Sequence, residues 1–107
     1  MKLSHGGHLS HGDPSSVTSH CFKFRHYGLD AQTERIDYEE VRRIAEEFKP
    51  HMIIAGASSY PRLIDYQIMA EVARSVSAYL LVDMAHIAGL VAAGVIPSPV
   101  PHADFVT

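Results

Sequence analysis

An acid and an imidazole follow one apolar run of this 107-residue sequence within four positions. The run is Tyr-Leu-Leu-Val at residues 79–82, and it ends at Asp83, with His86 three positions later. Both are side chains that can hold a ligand or exchange a proton with it. Position alone leaves two interpretations open for Asp83, a cap for the following helix or a contact to a ligand. His86 can equally be a surface residue in the first turn of that helix.

The sequence contains eight histidines, and three of them recur at every third position near its start. These three are His5, His8 and His11. On a helix this spacing would indicate a metal site, but Gly6 and Gly7 argue against a helix here. No cysteine or carboxylate completes a set of ligands before Asp13, whereas zinc sites carry recognisable Cys/His patterns. The sequence therefore predicts no metal site.

Hydrophobic spacing predicts an alternation of helices and strands after residue 36. Asp37 and Glu40 have the pattern of a capping box, and the helix that follows is predicted to end at Pro50. Asp65 is the predicted cap of a second helix. The predicted strands are residues 52–54, 78–82 and 104–107, and a short helix is predicted at residues 86–93. The first 35 residues are rich in glycine, serine and histidine, and only residues 22–25 indicate a strand there.

This alternation predicts an α/β fold with a mostly parallel sheet and right-handed crossovers. Ligands of such sheets lie beyond the carboxyl ends of the strands. The loops at residues 55–60 and 83–86 are therefore expected at one edge of the sheet, and Asp83 falls where a ligand would lie. Ser58 and Ser59 belong to the first of these loops, where they can also be ordinary hydroxyls that close a turn.

The composition is typical of a globular domain, with 47% hydrophobic and 20% charged residues and a net charge of −3. That charge gives no electrostatic reason to expect nucleic acid or an anionic membrane as a partner. No apolar run approaches the ~20 residues of a membrane span, and the first residues lack the pattern of a signal peptide. The single cysteine, Cys21, suits a reducing compartment. We expect a cytoplasmic location, with a mitochondrial one as the alternative.

Four blocks of the sequence carry a resemblance to a known enzyme family. They are LSHGGHLSHG (3–12), YGLD (27–30), KPHMIIAGASSYPR (49–62) and AYLLVDMAHIAGLVAAGVIPSPVPHADFVT (78–107). Together they resemble serine hydroxymethyltransferase, in order and over nearly the whole chain. The resemblance implies an incomplete large domain of a fold-type I pyridoxal-phosphate (PLP) enzyme, with a partial three-layer α/β/α arrangement. Residues 1–35 would be its cofactor and folate loop region, and residues 36–107 its strand–helix repeats.

The resemblance also implies catalytic and cofactor-binding roles for individual residues. Asp83 matches the acid that pairs with the protonated pyridine nitrogen of PLP, and this pairing makes the ring an electron sink. His8 matches the imidazole that stacks on the ring, and His86 matches the histidine on the side of the phenolic oxygen. Ser58 matches a cofactor-binding hydroxyl near the same phenolate.

The implied reaction is the reversible transfer of a one-carbon unit from serine to tetrahydrofolate, which gives glycine and 5,10-methylenetetrahydrofolate. Leu3, Gly7 and Leu9 match the positions where the family packs the folate pterin. The implied partners are serine, glycine and tetrahydrofolate, and the implied assembly is a homodimer or a higher homo-oligomer.

The sequence departs from the family pattern at two kinds of position. Residues 16–20 read Ser-Val-Thr-Ser-His, and Ser59 stands where alanine is common. The family pattern continues beyond Thr107 to the lysine that forms the Schiff base with PLP, and this chain lacks that lysine. We therefore expect an interior segment of the enzyme that is inactive alone. The alternative is a non-catalytic, stand-alone fragment that acts as a binding or oligomerisation module.

Overall fold

Three parallel strands form the sheet of this chain in the order β1-β2-β3. They are β1 Met52–Ala55, β2 Tyr79–Val82 and β3 Phe105–Val106. Ile53 pairs with Leu80 in the first ladder, and Val82 pairs with Val106 in the second. The structure is a computed structural model that describes residues 1–107. The predicted α/β fold with a parallel sheet is confirmed.

Four α-helices connect or precede these strands. They are α1 Val17–Cys21, α2 Tyr38–Phe48, α3 Tyr66–Ser75 and α4 Ala88–Ala92. Two 3-10 turns, Leu3–His5 and Leu9–His11, lie near the start of the chain, and each ends at a glycine with a positive φ. No helix combines the length and the apolar character that crossing a bilayer requires.

Carboxylate caps fix where the two longer helices begin. The Asp37 side chain accepts hydrogen bonds from the N–H groups of Glu39 and Glu40, both at 3.0 Å. The Glu40 carboxylate accepts from the Gly28 N–H at 2.8 Å, so it ties α2 to the preceding loop. The Asp65 carboxylate accepts from the Ile68 N–H at 3.0 Å and caps α3. Both predicted aspartate caps are confirmed, but the capping box is not, because the Glu40 carboxylate bonds to Gly28 and not to the Asp37 N–H.

Helix α3 covers one face of the sheet. It lies against β1 and β2, and α2 packs beside it and shares the same core. Side chains alternate across a strand, so every second residue of β1 and β2 points into this core. The largest fully buried side chains are Met69, Leu80, Val72, Val82 and Pro99.

Two local predictions from the sequence need correction, and one helix was not predicted. Residues 22–25 form no strand, since they pair with no neighbour in the sheet. A cavity of about 820 Å³ is lined by these residues, α2 and β1, and the Tyr27 hydroxyl reaches across to donate to the Ile54 carbonyl at 3.2 Å. Helix α4 begins at Ala88 and not at His86, because residues 85–87 form a turn. Helix α1 was not predicted; the buried Ser16 caps it by accepting from the Thr18 N–H.

The second face of the sheet is uncovered and apolar. Met52, Tyr79 and Phe105 are exposed there, and the Tyr79 and Phe105 rings meet edge to face at 5.6 Å. The sheet within this chain therefore has one layer of helices and one open face. Apolar faces of this kind associate with other apolar surfaces when they are left in water.

We predict that the 107-residue chain on its own associates with itself through this face. Tyr79 is 57% exposed and begins the central strand, so Tyr79→Lys should weaken association at least about tenfold in sedimentation velocity. The matched control is Leu63→Lys, because Leu63 is 61% exposed outside the sheet. A chain that stays monomeric at all concentrations, or an equal effect of both substitutions, would contradict the prediction.

Candidate active site at the carboxyl ends of the strands

Asp83 continues β2 by one residue and turns its carboxylate toward the first part of the chain. Its N–H donates to the Ala55 carbonyl at 2.9 Å, which extends the ladder with β1. One carboxylate oxygen accepts from the Ala85 N–H at 3.1 Å, and the other lies 2.9 Å from His11 Nε2. Helix α4 has no side-chain cap, so the cap interpretation of Asp83 is wrong.

The pair of His11 and Asp83 has a defined ionisation. His11 is 7% exposed, and burial lowers its pKa below the usual 6.5, although the hydrogen bond and charge of Asp83 oppose this. Burial raises the pKa of Asp83, but the hydrogen bonds from the Ala85 N–H and from His11 outweigh it and the pKa lies below 3.8. A neutral His11 therefore donates its Nε2–H to an ionised Asp83. His11 Nδ1 is then a buried acceptor without a hydrogen-bond partner.

His8 and His86 stand beside this pair. The half-buried His8 ring meets the His11 ring edge to face at 5.4 Å, and its Nδ1 is bonded to the Ser10 hydroxyl at 2.6 Å. The exposed His86 ring lies 6.2 Å from the His8 ring. The structure thus brings together His8, Asp83 and His86, the three residues for which the sequence predicted catalytic roles.

Two close backbone approaches join the loops around the site. The Gly6 carbonyl accepts from the N–H groups of Ser58 and Ser59 at 2.9 and 3.1 Å. Gly56 has a φ of 121°, and a Cβ there would overlap the carbonyl oxygen of Asp83. Because Gly56 has no side chain, the loop after β1 can lie directly against the loop after β2.

Ser58 offers the site an unused polar atom. Its Oγ is buried and has no hydrogen-bond partner within the chain. Buried hydroxyls are normally paired, so an unpaired one beside a ligand site is available to the ligand. An ionised carboxylate, a free hydroxyl and a half-buried imidazole are groups that fit a protonated, hydroxylated pyridine ring such as that of PLP.

The three residues predicted to contact folate have different environments. Leu3 and Leu9 are each 46% exposed and leave apolar surface at the first two turns. Gly7 is buried, and a side chain there would overlap the backbone of Met1 and Lys2. Their contact with folate stays a prediction.

Sequence reasoning missed the role of His11. It considered this residue only with His5 and His8, as a metal set on a helix. His5 is separate from the site, since its Nδ1 accepts from the Leu29 N–H at 2.9 Å and ties two loops together. His11 and Asp83 are 72 positions apart, so no local spacing reveals their contact.

The sequence of the whole chain matches one family model. The model describes serine hydroxymethyltransferase, and the match covers residues 1–107. The chain belongs to the serine hydroxymethyltransferase family. The resemblance carried by the four sequence blocks is confirmed.

A curated relative agrees with this membership. The serine hydroxymethyltransferase of Desulforapulum autotrophicum is 62% identical to the chain over 107 residues. The match covers all of this chain and 26% of that relative, so the chain spans about a quarter of the relative's length. Because the match covers the whole chain, a protein can be built in which this chain replaces the matching quarter of the relative. We call the resulting protein the chimera.

We predict that Gly56→Ala destabilises the chimera by at least about 2 kcal/mol. Alanine at a positive φ is strained by about 1–2 kcal/mol, and here its Cβ also overlaps Asp83. Gly94→Ala separates the two causes, because Gly94 has a φ of 69° but nothing within 4 Å. Gly89→Ala, with nothing near it in α4, should be neutral or slightly stabilising. Thermal unfolding of the three variants checks this order, and equal losses for Gly56→Ala and Gly94→Ala would contradict it.

We also predict a pH dependence that originates at His11. Its folded pKa is lowered, so the unfolded chain binds more protons below about pH 6.5, and stability falls as the pH falls through this range. The denaturation midpoint of the chimera should therefore fall between about pH 7.5 and about pH 5.5, and the fall should be smaller in His11→Asn. His102→Asn, a change at an exposed histidine outside the site, should leave the profile unchanged. An unaltered profile in His11→Asn would rule out this origin.

Proposed function

We propose that this chain is part of a serine hydroxymethyltransferase that uses PLP. The reaction is the reversible transfer of a one-carbon unit from serine to tetrahydrofolate, with glycine and 5,10-methylenetetrahydrofolate as products. The observation that carries the proposal is the ionised Asp83, held by a neutral His11 at the ligand edge of the sheet. Family membership indicates the reaction. The negative charge of Asp83 is the charge that a protonated pyridine nitrogen of PLP would require.

When bound, PLP supplies a ring that withdraws electrons from the carbon at which the amino acid reacts. Asp83 acts on this ring through its charge, because an ionised carboxylate keeps a proton on a neighbouring pyridine nitrogen. His11 contributes by donating to Asp83, which both orients the carboxylate and favours its ionised form. His11 is thus a positioning residue behind Asp83.

Other residues of the site would hold the cofactor and the substrates. His8 offers the face of a half-buried imidazole for stacking, with the ring oriented through Ser10. Ser58 Oγ can bond to the phenolic oxygen of the ring, and the exposed His86 can approach the same side. The exposed apolar surfaces of Leu3 and Leu9 suit the flat pterin of tetrahydrofolate, with Gly7 in the turn between them.

The proposal extends to architecture, assembly and location. The uncovered apolar face with Met52, Tyr79 and Phe105 supports a second layer of helices from elsewhere in the protein. That layer would complete the three-layer α/β/α large domain. We further propose a homodimer or higher homo-oligomer, and a cytoplasmic location with a mitochondrial one as the alternative.

Replacement of Asp83 in the chimera tests the proposed function. Asp83→Asn keeps the size of the side chain but removes its charge, so turnover of serine should fall at least about 100-fold. The bound PLP, followed by its absorbance, should remain. The matched control is Asp30→Asn, because an asparagine can still accept from the Thr33 N–H in that turn.

Two outcomes would contradict the proposal. A chimera that folds and binds PLP but shows no turnover would favour the alternative of a non-catalytic module. Turnover by Asp83→Asn close to that of the unsubstituted chimera would remove the role given to this carboxylate.

A further inference from the structure

Three side chains of the site converge as a set of metal ligands. One ring nitrogen of His8, one of His11 and a carboxylate oxygen of Asp83 all lie within 4.8 Å of one another. We propose that these three residues bind a divalent transition-metal ion, with Zn²⁺ as the type, when no organic cofactor is bound. The spacing of His8 and His11 is visible in the sequence, but their carboxylate partner is not, because Asp83 lies 72 positions after His11.

The donor atoms suit Zn²⁺ in kind and number. Two imidazoles and one carboxylate are a recognised three-ligand set for zinc, which leaves a fourth position for water or another ligand. The same set is poor for Mg²⁺ and Ca²⁺, because these ions prefer oxygen ligands. His86 is not one of the three ligands; its ring centroid lies 6.2 Å from that of His8.

The separation of His11 and Asp83 already approaches that of two ligands on one ion. Their nitrogen and oxygen are 2.9 Å apart, and ligands about 2.0–2.1 Å from a tetrahedral ion lie slightly further apart than this. A small opening of the pair would admit the ion. The proton on His11 Nε2 would be released to solvent and His11 Nδ1 would take one up, so the ligating imidazole stays neutral.

The charge and the free atoms of the pair are compatible with a bound cation. His11 Nδ1 has no hydrogen-bond partner, so a change of tautomer breaks no bond at that atom. The Asp83 carboxylate is partly buried, and a divalent charge would compensate it more fully than a neutral imidazole does. His8 and Asp83 are both half-buried, so the ion would have a path from solvent.

Metal and PLP would compete for this site. Asp83 and His8 belong to both ligand sets, so the two cannot be bound at once; this part of the inference rests on the proposed function. Metal binding itself does not depend on it, since it needs only the three side chains. The two statements are therefore tested separately.

Titration of the 107-residue chain with Co²⁺ tests metal binding. Tetrahedral Co²⁺ has intense visible bands, so we expect saturation at one Co²⁺ per chain and displacement by one equivalent of Zn²⁺. His8→Asn and Asp83→Asn should each weaken binding at least about tenfold. The control His102→Asn, at an exposed histidine outside the cluster, should leave it unchanged.

The His8→Asn variant distinguishes the loss of a metal ligand from a loss of metal binding caused by unfolding. The bonds of this side chain reach only Ser10, so the variant should keep the circular dichroism of the parent. Absence of saturable binding, or equal affinity of the parent and a folded His8→Asn variant, would overturn the proposal.

Competition in the chimera tests the second statement. Addition of PLP to the Co²⁺-loaded, cofactor-free chimera should abolish the visible bands of Co²⁺ as the absorbance of bound PLP appears. Retention of both signals would refute competition and would leave metal binding intact. Failure of PLP to bind at all, with Co²⁺ still bound, would count against the proposed function and not against the metal site.

Discussion

The hydrogen bond between His11 and Asp83 is the contact on which the candidate site depends. It joins the second 3-10 turn to the end of β2, across 72 positions of sequence, at 2.9 Å. It also sets the charge of the site, because a buried neutral imidazole donates to a carboxylate that stays ionised. Without this contact the second 3-10 turn would have no side-chain hydrogen bond to the end of β2, and the Asp83 carboxylate would keep only the hydrogen bond from the Ala85 N–H.

Glycines allow the loops to come close enough for this contact. Gly56 lets the loop after β1 pass directly over the Asp83 carbonyl, and Gly6 receives two N–H groups from that same loop. Gly12 ends the turn that carries His11, at a φ of 97°. Glycine can adopt these backbone conformations, and the neighbouring side chains are thereby brought to the site.

Local features of the fold could be predicted from the sequence. Asp37 and Asp65 cap helices because a cap needs only a carboxylate and the next turn of backbone. The strand–helix alternation and the position of Asp83 at the ligand edge follow from periodicity and from the rule for parallel sheets. These inferences require no knowledge of contacts between distant residues.

Features that depend on distant partners could not be predicted in this way. Residues 22–25 have the composition of a strand but no neighbouring edge to pair with, so their propensity is not realised. Glu40 has the spacing of a capping box, yet its carboxylate accepts a hydrogen bond from the Gly28 N–H and not from the Asp37 N–H. The start of α4 is displaced because the Ala85 N–H bonds to Asp83 and forms a turn. The hydrogen bond between His11 and Asp83 likewise depends on a distant partner and could not be predicted.

Nitrogen NMR of the His11 ring in the cofactor-free chimera tests the central claim most directly. With histidine labelled in both ring nitrogens and His11 assigned through His11→Asn, the account predicts a neutral ring near pH 7. Its Nε2 should carry the proton and couple to Asp83, and its Nδ1 should give the signal of an unprotonated nitrogen. A ring protonated on both nitrogens, or a neutral ring with its proton on Nδ1, would contradict the ionisation on which the site is built.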